Sequence, residues 1–356
     1  MLRTIGITGL LLLLGACGGG DDGGPEGSAG SAGNAGSAGN AGNPGSGGGM
    51  SVGGSGGAGA TAGEAGSGAG GSGAEGGLPG GGGATNGCNN NTKHATIGNK
   101  IVADVSWPAK TGISAGSGKI HIWTRTVLDF GTADPGTGEI SATGEVTPCG
   151  SSIPALTKTA IAGGGQVQTV IPDAVWDKAG MPKFKATGKL SGFDIGATIS
   201  MEPVVSLVGL SMTDPNAPWP SSAKQVTGVD HDGDGQLGIL AVPRTDPPFS
   251  APPTSLFEAL NPAGKRATEV YIVTRTAVQI SGTRDTCTSA SGQATVKMFD
   301  SHVLGCKRND GKICTAGEAD FIDQNQPKFT VQSAVYDMVQ LGEGATCAEV
   351  RAALPM

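Results

Sequence analysis

The sequence predicts an all-β domain that follows a long disordered tether. Residues 119–127, 183–190 and 204–210 alternate apolar and polar side chains and are rich in β-branched and aromatic residues, a pattern typical of half-buried strands. Helical signals are short, because the capping-box spacings at residues 255–258 and 346–349 each open only a few turns. Between residues 18 and 87, in contrast, nearly half of the residues are Gly.

Residues 1–17 have the features of an export signal. Arg3 gives a positive charge near the start, residues 5–14 form an apolar run too short to span a bilayer, and residues 14–17 read Leu-Gly-Ala-Cys. This last motif resembles the lipobox of bacterial lipoproteins. The resemblance implies cleavage before Cys17, a lipid on its thiol and anchoring in the cell envelope, with Gly18 favouring the outer membrane on the enterobacterial sorting rule. An ordinary signal peptide with an incidental Cys is the alternative.

Residues 18–87 are predicted to be a flexible tether of low complexity. They contain no aromatic residue, and a repeat of Gly, Ser, Ala and Asn begins at Gly27. Such a segment cannot bury enough apolar surface to offset the entropy of ordering it, so we expect it to be disordered. A Gly/Ser-type coil of this length has an r.m.s. span of about 45 Å, which would hold the folded part away from the membrane.

Residues 88–356 contain a short internal repeat. The aligned segments are 120–126 with 270–276, 131–134 with 282–285, and 175–177 with 335–337. We therefore predict two similar β-units, each a barrel or a sandwich, at residues 88–229 and 242–356, joined by a loop at residues 230–241. Chance similarity between strand patterns is the alternative.

The repeat places Arg125 and Arg275 at equivalent strand positions. An Arg flanked by Thr in a strand is usually a solvated or salt-bridged residue, and a binding role is the less common alternative.

The junction loop predicts a calcium site. Asp230, Asp232 and Asp234 occupy alternate positions, Gly235 permits a sharp turn, and Gln236 follows with a backbone carbonyl. Carboxylate and carbonyl oxygens are the ligands that calcium prefers, and alternate positions in a turning loop direct them toward one point.

The spacing resembles the calcium loops of EF-hand and dockerin-like proteins over about nine residues. The resemblance implies that the three carboxylates and the Gln236 carbonyl bind the ion. It fails at the twelfth position, where Ala241 stands in place of the bidentate Glu. We expect Asp214, Asp246 or water to supply the missing oxygens.

The sequence also predicts the orientation of two other residues of this loop. Leu237 is expected to fix the loop to a core, and His231 to point away from the ion. An acidic Asp-Gly surface turn that binds no metal is the alternative interpretation.

Six cysteines remain after the lipidated one, and outside the cytoplasm an even number favours disulfides. Cys306 and Cys314 flank an Asp-Gly turn, so a hairpin would bring them together. Pairs of Cys88 with Cys149 and of Cys287 with Cys347 would keep each bridge inside one unit. A four-cysteine zinc site is the competing interpretation, although the sequence contains no Cys-x-x-Cys pair.

The sequence favours a non-enzymatic envelope protein. It has no His-Glu-x-x-His motif and no paired histidine spacing typical of a metal site. A net charge of −7 argues against nucleic-acid binding. We expect a lipid-anchored, calcium-stabilised β-domain that serves surface binding or scaffolding, with an unidentified surface or extracellular partner. A surface-tethered hydrolase, with its site between the units and lined by Arg125 and Arg275, is the alternative.

Overall fold

The structure is a computed structural model and describes Cys88, residues 93–260 and residues 264–356. The predicted signal segment, the lipobox with Cys17 and the tether lie outside the described residues. Strands make up 52% of the structure and helices 12%, which confirms the all-β prediction. No helix within these ranges is long and apolar enough to cross a membrane.

The strands include the alternating patterns of the sequence, and β2 and β8 are longer than those patterns indicate. In chain order they are β1 (His94–Trp107), β2 (Gly116–Ala133), β3 (Ile140–Ser152), β4 (Leu156–Thr157), β5 (Gln166–Val167), β6 (Thr169–Val170), β7 (Phe184–Leu190), β8 (Thr198–Val208), β9 (Leu210–Ser211), β10 (Thr227–Gly228), β11 (Ile239–Pro243), β12 (Ala267–Arg284), β13 (Ser289–Arg308) and β14 (Thr330–Leu341).

Helices are short and lie in the connections. They are α1 (Asp173–Trp176), α2 (Leu256–Leu260), α3 (Ala316–Asn325) and α4 (Cys347–Ala353). Both α3 and α4 begin with a complete capping box, formed by Thr315 with Glu318 and by Thr346 with Glu349.

Eight antiparallel strands form one closed sheet in the order β1-β2-β3-β7-β8-β12-β13-β14, and β14 pairs again with β1. On β1 the inward face carries Ile97, Ile101, Ala103 and Val105, all buried. Closure gives every long strand two hydrogen-bonded neighbours, so none of these eight strands is left as an edge.

Strands of the two predicted units are joined in this one sheet. β8 lies in the first predicted unit and pairs with β12 of the second, while β1 pairs with β14. Half of the strands would form an open sheet with two unpaired edges, and pairing the halves removes both edges. The loop at residues 230–241 therefore lies within the connection from β8 to β12 and does not separate two sheets.

The repeat agrees with the sheet order only in part. β2 and β12, which carry the first pair of aligned segments, lie four strands apart in either direction around the sheet. The alignment of residues 175–177 with 335–337 is wrong, since the first segment includes part of α1 and the second lies in β14.

The two ends of the sheet differ. At the end where β1 finishes at Trp107, here called the loop end, the opening is covered by the long connections 108–115, 153–183 and 309–329 and by the described residues of the connection from β8 to β12. At the opposite end, where β1 begins, the connections are short. The fold thus concentrates irregular chain, and α1 to α3, at the loop end.

Three disulfides connect the described cysteines. Cys306 is bonded to Cys314, beside the turn that follows β13. The other expected pairs are wrong, because Cys88 is bonded to Cys287 and Cys149 to Cys347. The physical reason is the shared sheet, which brings residues about 200 positions apart into contact.

Candidate functional site

The acidic loop lies between β10 and β11, at the loop end. Its ends are brought together by a bridge between Asp230 and Gly238. Gly233 and Gly235 have φ values of 70° and 85°, which lie in the left-handed region that Gly adopts at little cost. These two residues let the chain reverse between the carboxylates, as the sequence spacing requires.

The loop gathers the three predicted carboxylates. One oxygen from each of Asp230, Asp232 and Asp234 lies within 4.8 Å of the others. Asp230 accepts hydrogen bonds from the backbone N–H groups of Gly233 and Gly235 at 2.7 and 2.9 Å. This backbone framework fixes the loop before any ligand binds.

Asp232 is the buried member of the cluster and is only 4% exposed. Its Oδ2 accepts a hydrogen bond from Leu240 N at 2.8 Å, which ties the loop to β11. Its Oδ1 is buried and has no hydrogen-bond partner in the structure. A buried carboxylate oxygen without a partner is costly, so this atom requires either a proton or a cation.

Electrostatics divides the carboxylates into two kinds. Burial, together with the charge of Asp234, raises the pKa of Asp232. Burial acts in the same direction on Asp230, but the backbone N–H groups of Gly235 and Gly233, the neighbouring side chain of Asp232 and the N–H of Asp234 outweigh it and hold the pKa of Asp230 below its ordinary value. The cluster therefore stabilises the charge of Asp230 and disfavours that of Asp232, and a divalent cation would relieve the repulsion between them.

His231 is not part of the carboxylate cluster and bonds the loop to the chain that follows β8. Its Nδ1 accepts a hydrogen bond from Gly209 N at 2.9 Å, so its proton is on Nε2. Burial of the ring lowers the pKa of His231 and keeps the imidazole neutral.

The predicted role of Leu237 is wrong, because its side chain is 58% exposed. Ile239, which is fully buried beside Val175 and Trp176, is the apolar residue that fixes the loop to the core. The bridge from Asp230 to Gly238 starts β11 after Leu237, and this turns the Leu237 side chain to the surface.

The expected additional acidic ligands are engaged elsewhere. Asp246 forms an ion pair with Arg244 at 2.6 Å, and Asp214 accepts a hydrogen bond from the N–H of Asn216. Ala241 is buried on β11, and Gln236 donates its backbone N–H to Asp234. A cation bound by the three carboxylates would therefore take its remaining ligands from water and from backbone carbonyl oxygens such as that of Gln236.

A second site, which the sequence did not predict, is an apolar cavity of about 290 Å³ inside the closed sheet. Most of its lining is aliphatic or aromatic, with the inward residues of β1, β2, β8 and β12 contributing from all sides. Along β12 it is lined by alternate residues from Val270 to Ile280. A strand rises about 3.3 Å per residue, so this part of the wall is about 33 Å long.

The inner face of β12 shows that the sheet is hollow. Ile272, Thr274 and Thr276 face inward and are only partly buried. Val273 and Arg275 face outward, yet both are buried, and the connection from β8 covers Arg275. Along this part of β12 the outward residues are thus more deeply buried than the inward ones.

The cavity contains few polar groups. Asn99 is 6% exposed and donates hydrogen bonds from Nδ2 to the hydroxyl oxygens of Thr124 and Thr126 at 3.3 and 2.9 Å. Its Oδ1 has no partner in the structure. Lys158 and Glu202 are the charged residues of the described lining; Lys158 is 7% exposed, whereas Glu202 is exposed.

Arg125 and Arg275 do not converge on a common cleft. Arg125 donates to the carbonyl of Ala345, and Arg275 pairs with Asp300 at 2.8 Å and donates to the carbonyl of Pro215. Both side chains fasten covering segments to the outside of strands that lie four positions apart in the sheet. The site that the hydrolase alternative requires between these arginines is therefore not formed.

Comparisons with known proteins give no relative for this chain. No protein-family model, no curated protein and no solved structure matches it.

Proposed function

We propose that this chain is an envelope-anchored binding protein whose closed sheet holds a small apolar ligand. In this proposal a lipid on Cys17 provides the anchor, residues 18–87 form the tether, and calcium at Asp230, Asp232, Asp234 and the Gln236 carbonyl stabilises the domain. The observation that carries the proposal is the hollow apolar interior of the sheet.

An empty apolar cavity lowers the free energy of unfolding of a protein. Unfilled volume inside a core costs about 24 cal/mol per Å³, so sequences normally fill an interior of this size with larger side chains. Here the inward positions of the strand wall include Thr124, Ser206, Thr274 and Thr276, which are small. An eight-stranded closed sheet is wide enough to hold one small ligand when its side chains do not fill it.

Calcium binding would support the wall of this cavity. The acidic loop leads directly into β11, and β11 pairs with β12 through Ile239, Leu240 and Ala241. On β12, the partner of Ile239 is Ile272, and the side chain of Ile272 lines the cavity. A cation that satisfies Asp232 Oδ1 would therefore hold β11 in place against the strand that lines the cavity.

Location in the envelope is supported by two features of the chain. The lipobox-like motif ends at Cys17, and the six remaining cysteines are all bonded. Disulfides persist in oxidising compartments outside the cytoplasm.

The test uses N-phenyl-1-naphthylamine, a neutral apolar dye that becomes fluorescent when it leaves water. The full chain with Cys17→Ser, which carries no lipid of its own, should bind the dye at micromolar concentration. Thr276→Trp fills the cavity from β12 and should weaken binding about tenfold or more. Thr143→Trp, on the exposed face of β3, is the matched control and should bind as the parent chain does.

Two outcomes would contradict the proposal. Absence of dye binding by the folded chain would remove the ligand-binding function. Equal binding by the Thr276→Trp and Thr143→Trp variants would show that the dye binds outside the cavity.

A further inference from the structure

Lys158 is a buried cation at the loop end of the cavity. It follows β4, lines the cavity and is 7% exposed. Its ammonium group donates a hydrogen bond to the Ser250 hydroxyl at 2.7 Å. Within the described part of the chain it forms no ion pair with a carboxylate.

This arrangement is unfavourable without a further partner. A buried ammonium normally has a carboxylate beside it, because one neutral hydroxyl replaces only part of its lost hydration. Burial lowers the pKa of Lys158, and repulsion from the positive charge of Arg266 lowers it further. The surroundings of Lys158 therefore favour an anion.

The rest of the cavity limits what that anion can be. Beyond Lys158 the described lining is apolar or neutral, apart from the exposed Glu202, and it follows the inner face of β12 over about 33 Å of strand. A compact anion would leave this apolar length empty, and an uncharged hydrocarbon would leave the ammonium group unpaired. An extended amphiphile satisfies both requirements.

We propose that the cavity binds a long-chain aliphatic carboxylate, with its carboxylate paired to Lys158 and Ser250 and its chain lying along the inner face of β12. This inference rests on the proposed ligand-binding function and names the ligand class for the same cavity. The hydroxyl of Ser250 accepts the bond from Lys158 and would donate its own proton to the second carboxylate oxygen.

The test compares palmitate with methyl palmitate, which has the same chain and no charge, by equilibrium dialysis against the full chain with Cys17→Ser. We expect palmitate to bind more tightly than the ester. Lys158→Met should weaken palmitate about tenfold or more and leave the ester unchanged, because only the charged pair is lost. Lys178→Met, at an exposed lysine, is the matched control and should change neither affinity.

Lys158→Arg keeps the positive charge and should retain the preference for palmitate. The carboxyl ¹³C resonance of bound [1-¹³C]palmitate also answers the question without a variant at Lys158. A pKa below that of a free carboxyl group is expected beside a cation, whereas an apolar cavity alone would raise it.

The outcomes separate this inference from the proposed function. If palmitate and its ester bind equally and Lys158→Met has no effect, the carboxylate inference is overturned while the ligand-binding function stands. If neither ligand binds but the neutral dye does, the cavity takes another apolar class and the inference is again wrong. If the dye also fails to bind, both proposals fall.

Discussion

At the scale of single residues, Asp232 decides whether the acidic loop is a metal site. Its Oδ2 is bonded to the backbone of β11 and its buried Oδ1 lacks a partner. An ordinary Asp-Gly turn would place its carboxylates in water, where each oxygen is hydrated. The loop therefore has one atom, Asp232 Oδ1, that requires either a proton or a cation, and a measurement of calcium binding decides between them.

We predict that calcium raises the midpoint of thermal unfolding and that Asp232→Asn removes the effect. Asn keeps the shape and one oxygen but loses the charge that the cation requires. At a hundredfold excess over the Kd, binding would add about 2.7 kcal/mol to the free energy of unfolding. Unfolding in EDTA and in a calcium titration measures this, with Glu343→Gln as an exposed acidic control. Coincident wild-type curves at millimolar calcium would leave the loop as an acidic turn.

The sequence identified the acidic residues of this loop but not Lys158. Spacing alone brings Asp230, Asp232 and Asp234 together, because the loop is local and its Gly residues permit one compact path. Lys158 becomes a site residue only through burial by segments distant in the sequence, including Ser250 and the inner face of β12. A lone Lys in a Thr- and Ala-rich segment has no local pattern that indicates burial.

At the scale of elements, His302 on β13 joins α3 to the connection that covers the sheet. Its Nδ1 lies 2.9 Å from Asp323 of α3 and its Nε2 lies 2.9 Å from the carbonyl oxygen of Pro220. The ring also stacks on Trp219 with centroids 5.2 Å apart. Because both partners are acceptors, both ring nitrogens must carry protons for both bonds to form.

The pKa of His302 is raised for this reason. Burial lowers it, but the hydrogen bonds and charge of Asp323, with the Pro220 carbonyl, outweigh burial and the repulsion from Lys328. A raised pKa in the folded state contributes stability that is complete below the unfolded value of about 6.5 and is lost as pH rises through the folded value.

We predict that His302→Gln lowers stability below about pH 6.5 and has a smaller effect at higher pH. The physical reason is that only the imidazolium donates to both Asp323 and Pro220. Urea unfolding of both chains between pH 5 and 9 measures the difference. His94→Gln, in an exposed pair with Asp129, is the control. A difference that grows with pH would contradict the assignment of a charged ring.

At the scale of the whole molecule, two disulfides connect residues far apart in the sequence. Cys149 and Cys347 hold α4 against β3, where Trp123 and Val350 are also buried. The pair is separated by 198 residues, whereas Cys306 and Cys314 are separated by only 8. Closing a longer loop removes more entropy from the unfolded chain.

We predict that replacing both members of the Cys149–Cys347 pair by Ser lowers the free energy of unfolding by about 5 kcal/mol, and that the same change at Cys306–Cys314 costs about 2.5 kcal/mol. Guanidinium unfolding of the two double variants measures the order of the effects. The reverse order would show that native contacts, and not the length of the closed loop, determine the contribution of each bridge.

The sequence predicted strands more successfully than their arrangement. The alternation at residues 119–127 identified a part of β2 because side-chain period is a local property. Which strands become neighbours depends on contacts across the whole chain, so the shared sheet and two of the three disulfides were not predicted correctly. The hollow interior depends on that arrangement and has no sequence pattern of its own.

The pairing of β1 with β14 determines when the chain can fold. β1 is made first and β14 almost last, and their ladder runs from Thr96 with Leu341 to Ser106 with Thr330. Until the final strand is present, one side of β1 has no partner, so the sheet stays open during synthesis. Contacts between the first and last strands also bring a large loop-closure cost, which predicts slow folding. Completion of the sheet by its last strand means that the closed sheet forms only after nearly the whole chain has been made.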